Sequence, residues 1–204
     1  MEGTEILKAG GPVMYLLLVS SIAVAAIGIE RFRFYRYAGR GSETFLQKLK
    51  EILGKRDWHY GLELCRREDS SVGLVARAGM EAAVRGENVE LALTLAHDET
   101  ALKLRARLNY LSTIVTLAPL LGLLGTIAGM IETFNIFSVQ AGQPLAITGG
   151  IGEALIATAT GLCVAIFALL VHTYFAQRLD EILAELEKAV AIVLGGAGER
   201  NAET

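Results

Sequence analysis

The chain has 204 residues, of which 52% are hydrophobic, and its formal net charge is -3 at pH 7. A mean hydropathy of +0.44 is high for a soluble domain, and the apolar residues lie in blocks, which favours a membrane protein. The weak negative charge argues against a nucleic-acid partner. Two cysteines cannot build a disulfide framework, and Cys65 lies in a charged region while Cys163 lies in an apolar block, so we expect both to be reduced.

Three apolar blocks are long enough to cross a bilayer, whose hydrocarbon core needs about 20 residues of helix. They predict transmembrane helices over residues 12–29, 111–137 and 146–174. The first block contains Ala23-Val24-Ala25, which is similar to a secretory cleavage site. Its apolar run continues to Ile29, however, and its arginines follow the block instead of preceding it, so we interpret it as a retained span.

Basic residues predict the orientation of the three spans, because short cytoplasmic segments are enriched in lysine and arginine. They follow span one, precede span two and follow span three: Arg31, Arg33, Arg36 and Arg40; Lys103, Arg105 and Arg107; Arg178. The loop over residues 138–145 carries no charge. We therefore predict an all-α membrane protein in which residues 1–11 and 138–145 are periplasmic, and residues 30–110 and 175–204 are cytoplasmic.

The first cytoplasmic segment is expected to be helical, because its apolar residues recur at helical spacing. Ser42 is the predicted N-cap of its first helix, and further helices are predicted over residues 57–66 and 71–85. After a break at residues 86–88, we expect one long helix to run directly into the second span.

A further apolar stripe follows the third span and comprises Leu179, Ile182, Leu183, Leu186, Val190 and Val193. Its spacing predicts one continuous helix that leaves the membrane. We expect this helix to end at the glycine-rich residues 195–198 and the tail beyond it to be disordered.

Glu153 is the residue that most strongly indicates function. It lies near the start of the third span, and no lysine or arginine within residues 146–174 neutralises its charge. An ionisable side chain at the centre of a bilayer costs about 2.5–3.5 kcal/mol, so it persists where it faces protein or water. We expect Glu153 to belong to a functional site on an ion path.

The second span carries small and polar residues on one helical face: Ser112, Val115, Pro119, Gly122, Thr126, Gly129 and Thr133. Small residues let helices approach closely in a membrane, so this face is consistent with a packing seam, with Gly125 and Gly129 as a small-residue pair. Its hydroxyl groups add a second interpretation, the lining of a water-filled cavity. The residues alone leave both interpretations open.

The third span has two small or polar faces. Glu153, Ala157 and Thr160 share one of them, while Thr158 and Gly161 lie on the other. A helix with such faces on two sides is expected to lie between neighbouring helices, with little of its surface in contact with lipid.

Depth in the membrane is predicted from the hairpin that spans two and three form around Gly142. Thr126 and Thr158 lie at the same distance before and after that point, so they are expected to share a depth near the middle of the membrane. Glu153 is then nearer to the outer side and level with Glu132, which we interpret as a boundary residue.

At these residues the chain resembles the ExbB/TolQ/MotA proton-channel family. Two segments carry the resemblance, residues 120–130 (LLGLLGTIAGM) in span two and residues 152–162 (GEALIATATGL) in span three. Three spans with a large first cytoplasmic region are more similar to ExbB or TolQ than to MotA-type stators, which have four spans. The family often has a proline after an Ala-Ile pair in span three, where this chain has Phe167.

The resemblance implies a homopentamer in the bacterial inner membrane whose second and third spans line a central pore. Thr126, Thr158 and Glu153 match the polar pore residues of the family, and Thr160, on the face of Glu153, is assigned to the same proton pathway. The expected helix-packing residues are Gly122, Gly125, Gly129 and Gly161.

The resemblance also implies partners besides membrane lipid. The pore of the family holds the single spans of a smaller protein similar to ExbD or TolR, whose aspartate takes up and releases protons. The complex converts the proton-motive force into work on a TonB- or TolA-like protein that acts on the outer membrane.

Two other functions are weighed against this one: a structural helical scaffold, in which the small-residue faces only pack, and a flagellar-type stator, which the number of spans disfavours. The resemblance assigns no role to Glu132 or His172. An enzyme is not expected, because the sequence contains no phosphate-binding glycine loop, no metal-ligand cluster and no nucleophile–base pair. No cofactor or metal is expected for the same reason.

Overall fold

The computed structural model describes residues 11–39, 41–139 and 144–201, without the side chains of residues 136–139, 144–148, 153 and 199–201. All regular structure in these ranges is helical, which confirms the all-α prediction for this part of the chain. The helices follow in the order α1 Gly11–Ala38, α2 Ser42–Gly54, α3 Trp58–Arg67, α4 Ser71–Arg85, α5 Val89–Arg105, α6 Leu108–Val139 and α7 Pro144–Asn201.

Three of the described helices, α1, α6 and α7, are long and apolar enough to cross a membrane. Their most apolar 18-residue stretches have mean hydropathies of 2.2, 2.1 and 2.5. This confirms the three apolar helices predicted from the sequence. Each helix extends beyond its predicted span, and α7 continues without a break through the apolar stripe that follows the third span, as expected.

The chain forms two compact units, of which the first comprises Met1–Glu30 and Arg107–Tyr174. The start of α1 packs in this unit against α6 and α7 through apolar side chains that are almost fully buried: Val13, Met14, Leu17, Ala118, Ala157, Val164 and Ala165. In a membrane, close van der Waals packing holds such helices together, because lipid is as apolar as their side chains.

The second unit comprises Arg31–Ala106 and Phe175–Thr204. Its core combines the apolar faces of α2 to α5 with that of the last part of α7, and its most completely buried members are Leu49, Val72, Val75, Met80, Leu93, Leu104, Ile182, Leu186 and Val193. Each side chain of this size stabilises the fold by about 1.5–3 kcal/mol when it leaves water. The stripe that follows the third span is therefore an integral part of this core.

Three of the helix starts in this unit have side-chain caps. The side chains of Asp57, Ser70 and Asn88 each accept a hydrogen bond from a backbone N–H in the first turn of α3, α4 and α5. The prediction that Ser42 caps α2 is wrong. Gly41 occupies the cap position with a φ of 76°, and the Ser42 hydroxyl donates instead to the Glu185 carboxylate at 2.5 Å.

The prediction of one unbroken helix from residue 89 into the second span is also wrong. The helix ends at Arg105, and α6 begins at Leu108 after Arg107, whose φ is 70°. Within the second unit, the Tyr35 hydroxyl donates to the Leu104 carbonyl oxygen at 2.7 Å, and the Arg31 guanidinium donates to it at 3.3 Å. Because these side chains satisfy that terminal carbonyl, α5 can end where the sequence shows no breaker.

The expected end of the last helix at residues 195–198 is wrong as well, because α7 continues to Asn201. A Cβ atom added to Gly196 would lie 3.3 Å from the Trp58 ring and 3.4 Å from the Cβ of Leu53. Val193 and Ala197 on the same helix are buried. The glycines therefore lie within a packed helix, where Gly196 permits a close contact with α2 and α3.

Candidate functional site

The candidate site is the hairpin of α6 and α7 in the first unit, where small residues bring the two backbones together. A Cβ atom built on Gly161 would lie 2.6 Å from the carbonyl oxygen of Ala118 and 2.9 Å from the Cα of Gly122. One built on Gly122 would lie 3.1 Å from the Cα of Thr158. Contacts this short between backbones leave no space for a side chain, so only glycine fits at this crossing.

The contact continues along the hairpin at the other two glycines that were assigned to packing. An added Cβ on Gly125 would lie 2.6 Å from the Cβ of Ala157, and one on Gly129 would lie 3.1 Å from the Cβ of Ala154. The structure thus brings all four assigned glycines to the surface between α6 and α7.

The same pairs define the register of the hairpin. Later residues of α6 face earlier residues of α7, and at the far end Thr133 contacts Gly150. This register places Thr126 within one helical turn of the level of Thr158, as the spacing around Gly142 predicts. It places Glu153 level with Met130, one residue beyond the Gly129–Ala154 pair.

Thr158 links the two helices through its hydroxyl group. Its Oγ1 donates to the carbonyl oxygen of Gly122 at 3.0 Å, and the side chain is half-buried. Because residue 122 is glycine, no side chain shields this carbonyl from α7. An interhelical hydrogen bond in a membrane stabilises the helix pair by about 0.6 kcal/mol on average. The oxygen of Thr158 keeps its lone pairs, so it remains able to accept a further hydrogen bond.

Thr126 and Thr160 use their hydroxyl groups within their own helices. Thr126 donates to the carbonyl of Leu123 at 2.7 Å, and Thr160 donates to that of Ile156 at 2.8 Å. Both side chains are half-buried. Such local bonds satisfy the hydroxyl protons without water, and the oxygens stay available as acceptors along the accessible part of the hairpin.

Glu153 is described as a residue of α7, but its side chain lies outside the described residues. The prediction that its carboxyl group lies on an ion path therefore stays a prediction. Glu132, the other acidic residue near this level, is exposed on α6 in the isolated chain.

Two features of the hairpin were not predicted from the sequence. Thr133 is 6% exposed, and its hydroxyl donates to the Gly129 carbonyl at 2.7 Å. Val13 of α1 approaches Gly125, with its Cβ 3.7 Å from an added Cβ there. The sequence pattern placed Thr133 on the small and polar face of the second span but predicted no role for it. The contact of Val13 could not be predicted, because the apolar pattern of a span does not show which of its residues contacts another helix.

The described residues contain no cluster of three or more histidine, cysteine, aspartate or glutamate side chains that could hold a metal ion. The hydrogen bonds that the structure describes for Thr126, Thr133, Thr158 and Thr160 join hydroxyl groups to backbone carbonyls. Such groups can relay hydrogen bonds and solvate a charge.

Comparison with known proteins assigns this hairpin to a family. Residues 67–188 match the model of the MotA/TolQ/ExbB proton channel family. The chain belongs to this family. The matched region contains the whole of α6 and the part of α7 that packs against it, so the resemblance seen in residues 120–130 and 152–162 is confirmed.

Individual relatives are similar in sequence to this chain over most of its length. An ExbB-like protein of Synechocystis sp. is 36% identical over 195 residues, which cover 88% of this chain and 74% of that protein. The Tol-Pal system protein TolQ of Haemophilus influenzae is 32% identical and covers 83% of this chain and 80% of its own length. The biopolymer transport protein ExbB of Neisseria gonorrhoeae is 29% identical, and the match covers 91% of this chain and 92% of that protein. The chain is therefore a membrane protein of a proton-channel family.

Proposed function

We propose that the chain is the pore-forming subunit of an inner-membrane motor that uses the proton-motive force to energise transport across, or maintenance of, the outer membrane. The observation that carries the proposal is the α6–α7 hairpin, in which Thr158 bonds the Gly122 carbonyl inside the region matched by the proton-channel family. The names of the relatives, biopolymer transport protein and Tol-Pal system protein, support the two processes that we propose for such a motor.

The proposed assembly is a homopentamer whose α6 and α7 surround a pore for an ExbD- or TolR-like single-span protein. That partner carries the proton-transferring aspartate, and a TonB- or TolA-like protein receives the work. Large apolar side chains of α6 and α7 are exposed in the isolated chain, among them Leu120, Leu123, Ile127, Leu155 and Ile166. These surfaces are available to other subunits, to the partner and to lipid.

In the proposed mechanism, the chain provides the wall of the proton pathway and the partner provides the carrier. Glu153 positions or hydrates the partner's proton carrier in the outer half of the membrane, and the oxygens of Thr126, Thr158 and Thr160 accept hydrogen bonds along the pathway. The glycine contacts keep α6 and α7 at a fixed distance, so these oxygens keep their positions while the partner moves.

The proposed orientation has a periplasmic N-terminus and a cytoplasmic C-terminus, and its support is the distribution of arginine and lysine. A fluorescent protein fused after residue 204 is expected to mature and fluoresce, because it remains in the cytoplasm. Alkaline phosphatase fused at the same point is expected to be inactive. Active phosphatase would overturn the orientation.

The function is tested in a bacterium that lacks its own ExbB or TolQ and expresses this chain with an ExbD- or TolR-like single-span protein. Growth on a substrate of outer-membrane import, or detergent tolerance, reports the energised process. We expect Glu153→Ala to reduce either readout to that of cells without the chain, and Thr158→Val to reduce it in part. Wild-type behaviour of both variants, at equal amounts in the membrane, would overturn the proposal.

A structural scaffold is the second candidate, and one observation favours it. The hydroxyl of Thr158 and all four assigned glycines are already engaged between α6 and α7, as a pure packing seam requires. The two functions differ in proton flux through proteoliposomes that hold the chain with its single-span partner. A motor subunit conducts, and loses conduction with Glu153→Gln. If the chain is a scaffold, neither the unaltered protein nor Glu153→Gln conducts protons, and the chain does not co-purify with the small single-span protein.

A further inference from the structure

One exposed face of α1 changes from apolar to basic along the helix. Its members recur at alternating steps of four and three residues, so they share one side of the helix: Tyr15, Val19, Ile22, Ala26, Ile29, Arg33 and Arg36. Tyr15, Val19, Ile22 and Ile29 are 56–67% exposed. Because the face is apolar along the span, it suits lipid chains, and the two arginines follow where the apolar run ends.

The arginines of this segment differ in their surroundings. Arg31 is 4% exposed, lies 4.7 Å from the centre of the Phe34 ring and donates to the Leu104 carbonyl, so it has a structural role. Arg33 and Arg36 are exposed, and neither forms an ion pair or hydrogen bond with any residue that the structure describes. Their two positive charges are therefore not compensated by the described part of the chain.

Aromatic side chains flank these two arginines. Phe32 is 50% exposed and Tyr37 is 58% exposed on the same turns of α1. Aromatic rings are enriched at the boundary between the hydrocarbon and the headgroups of a bilayer, where one side of the ring is apolar and the other is wet. The combination of arginine and aromatic residues is typical of the headgroup region and is unusual for a surface in bulk water.

We propose that Arg33 and Arg36 bind the phosphate groups of anionic phospholipids in the leaflet that borders the end of the first span. Along the helix axis, Arg33 lies about 6 Å and Arg36 about 10 Å beyond Ile29. One headgroup layer is about 5–7.5 Å thick, so Arg33 lies at its depth and the long side chain of Arg36 can reach back to it. Guanidinium groups bind phosphate oxygens through two parallel hydrogen bonds. An anionic lipid is preferred because a zwitterionic lipid already carries a cation beside its phosphate. The proposal requires that α1 lies in a membrane and does not depend on the motor function.

The test uses the full chain in nanodiscs that contain phosphatidylglycerol and phosphatidylcholine. Trp58 is the only tryptophan, so Trp58→Phe combined with Phe32→Trp places a single fluorescent probe beside the two arginines. Brominated lipid quenches the probe on contact. We expect brominated phosphatidylglycerol to quench it in strong preference to brominated phosphatidylcholine. The preference should fall about fivefold with Arg33→Gln or Arg36→Gln, and about 25-fold with both.

Matched variants separate this site from a general effect of charge. Lys48→Gln with Lys50→Gln removes the same charge from exposed positions of α2 and should leave the preference unchanged. Arg33→Lys with Arg36→Lys should keep most of the lipid preference, and high salt should weaken the preference of the unaltered protein. The proposal is overturned if the double glutamine variant keeps the preference or if the α2 control loses as much. Absence of quenching by either lipid would also overturn it, since another protein surface would then cover this face.

Discussion

Thr158 donates a hydrogen bond out of its own helix, whereas Thr126 and Thr160 donate within theirs. The difference arises from the neighbouring helix, because Gly122 leaves its carbonyl oxygen open at the point where α7 crosses. A threonine beside a larger residue would find no such acceptor and would bond its own turn. The same glycine therefore sets both the distance between the helices and the direction of the hydroxyl group.

The interhelical bond of Thr158 predicts a small and specific loss of stability. Thr158→Val replaces the hydroxyl with a methyl group of similar size and should lower the unfolding free energy in detergent by about 0.6 kcal/mol. Thr158→Ser keeps the hydroxyl and should recover most of that loss. A neutral Thr158→Val together with a destabilised Thr158→Ser would show that the methyl group of Thr158, and not its hydroxyl, supports the hairpin.

Cys65 provides a prediction in the second unit. Burial raises the pKa of its thiol from 9.0 to about 12, so the thiol stays neutral and poorly nucleophilic in the folded protein. In a Cys163→Ser background, we expect iodoacetamide at pH 8 to leave Cys65 unmodified in the folded state and to modify it after unfolding, as measured by mass spectrometry.

The same shift makes stability depend on alkaline pH. The folded state binds the Cys65 thiol proton more tightly than the unfolded state. The thiol's contribution to the unfolding free energy is therefore complete below pH 9 and is lost as the pH rises towards 12. Cys65→Ser should not show this loss over that window. Rapid modification of folded protein at pH 8 would contradict the burial of the thiol.

Single residues also show where inference from the sequence stops. The glycines of spans two and three could be assigned to packing because small residues at helical spacing have few other uses in a membrane. The role of Ser42 could not, because its partner Glu185 is 143 positions away, and a serine before an apolar run is usually a cap. Glu153 was singled out by its cost in lipid, which predicts a site without revealing its partner.

At the scale of the helices, the contact between α6 and α7 predicts a contrast between two glycines of α7. Gly161→Ala would place a methyl group 2.6 Å from the Ala118 carbonyl oxygen, so it should destabilise the protein by about 1–3 kcal/mol. Gly149→Ala meets no atom within 4 Å and should be neutral or stabilising by up to about 1 kcal/mol. Unfolding in detergent measures both, and a stable Gly161→Ala protein would contradict the observed closeness of the helices.

The helix boundaries could be predicted where local periodicity determines them. The predictions were wrong where a side chain distant in sequence determines the boundary. The boundaries of α4 were predicted because its apolar face and its break at residue 86 are local signals. The break between α5 and α6 has no local signal and depends on Tyr35 and Arg31, which bond the Leu104 carbonyl from another helix. The glycines near residue 196 were misread as a helix end because the Trp58 ring, which packs on Gly196, is remote in sequence.

At the scale of the whole molecule, the two compact units are built from interleaved segments of one chain, so α1 and α7 each contribute to both. The first unit combines backbone contacts of small residues with a small apolar core, and the second unit is held by large apolar side chains. These are the packing modes that a membrane and water favour, respectively. A substitution in one core should therefore act mainly on its own unit.

Leu186 offers the test of that separation. It is fully buried in the second unit, so Leu186→Ala should reduce the unfolding free energy of this unit by about 2–5 kcal/mol. Leu102→Ala in the same unit removes a side chain that is 71% exposed and should change it by less than about 0.5 kcal/mol.

Amide hydrogen exchange of the full chain in nanodiscs distinguishes the two units. For Leu186→Ala, we expect faster exchange in α2 to α5 and in α7 beyond Phe175, because the lost side chain opens the core that these helices share. The α6–α7 hairpin should keep the protection seen in the unaltered protein and in Leu102→Ala, since its contacts lie among other residues. Equal acceleration along the whole chain would show that the two units unfold as one cooperative structure.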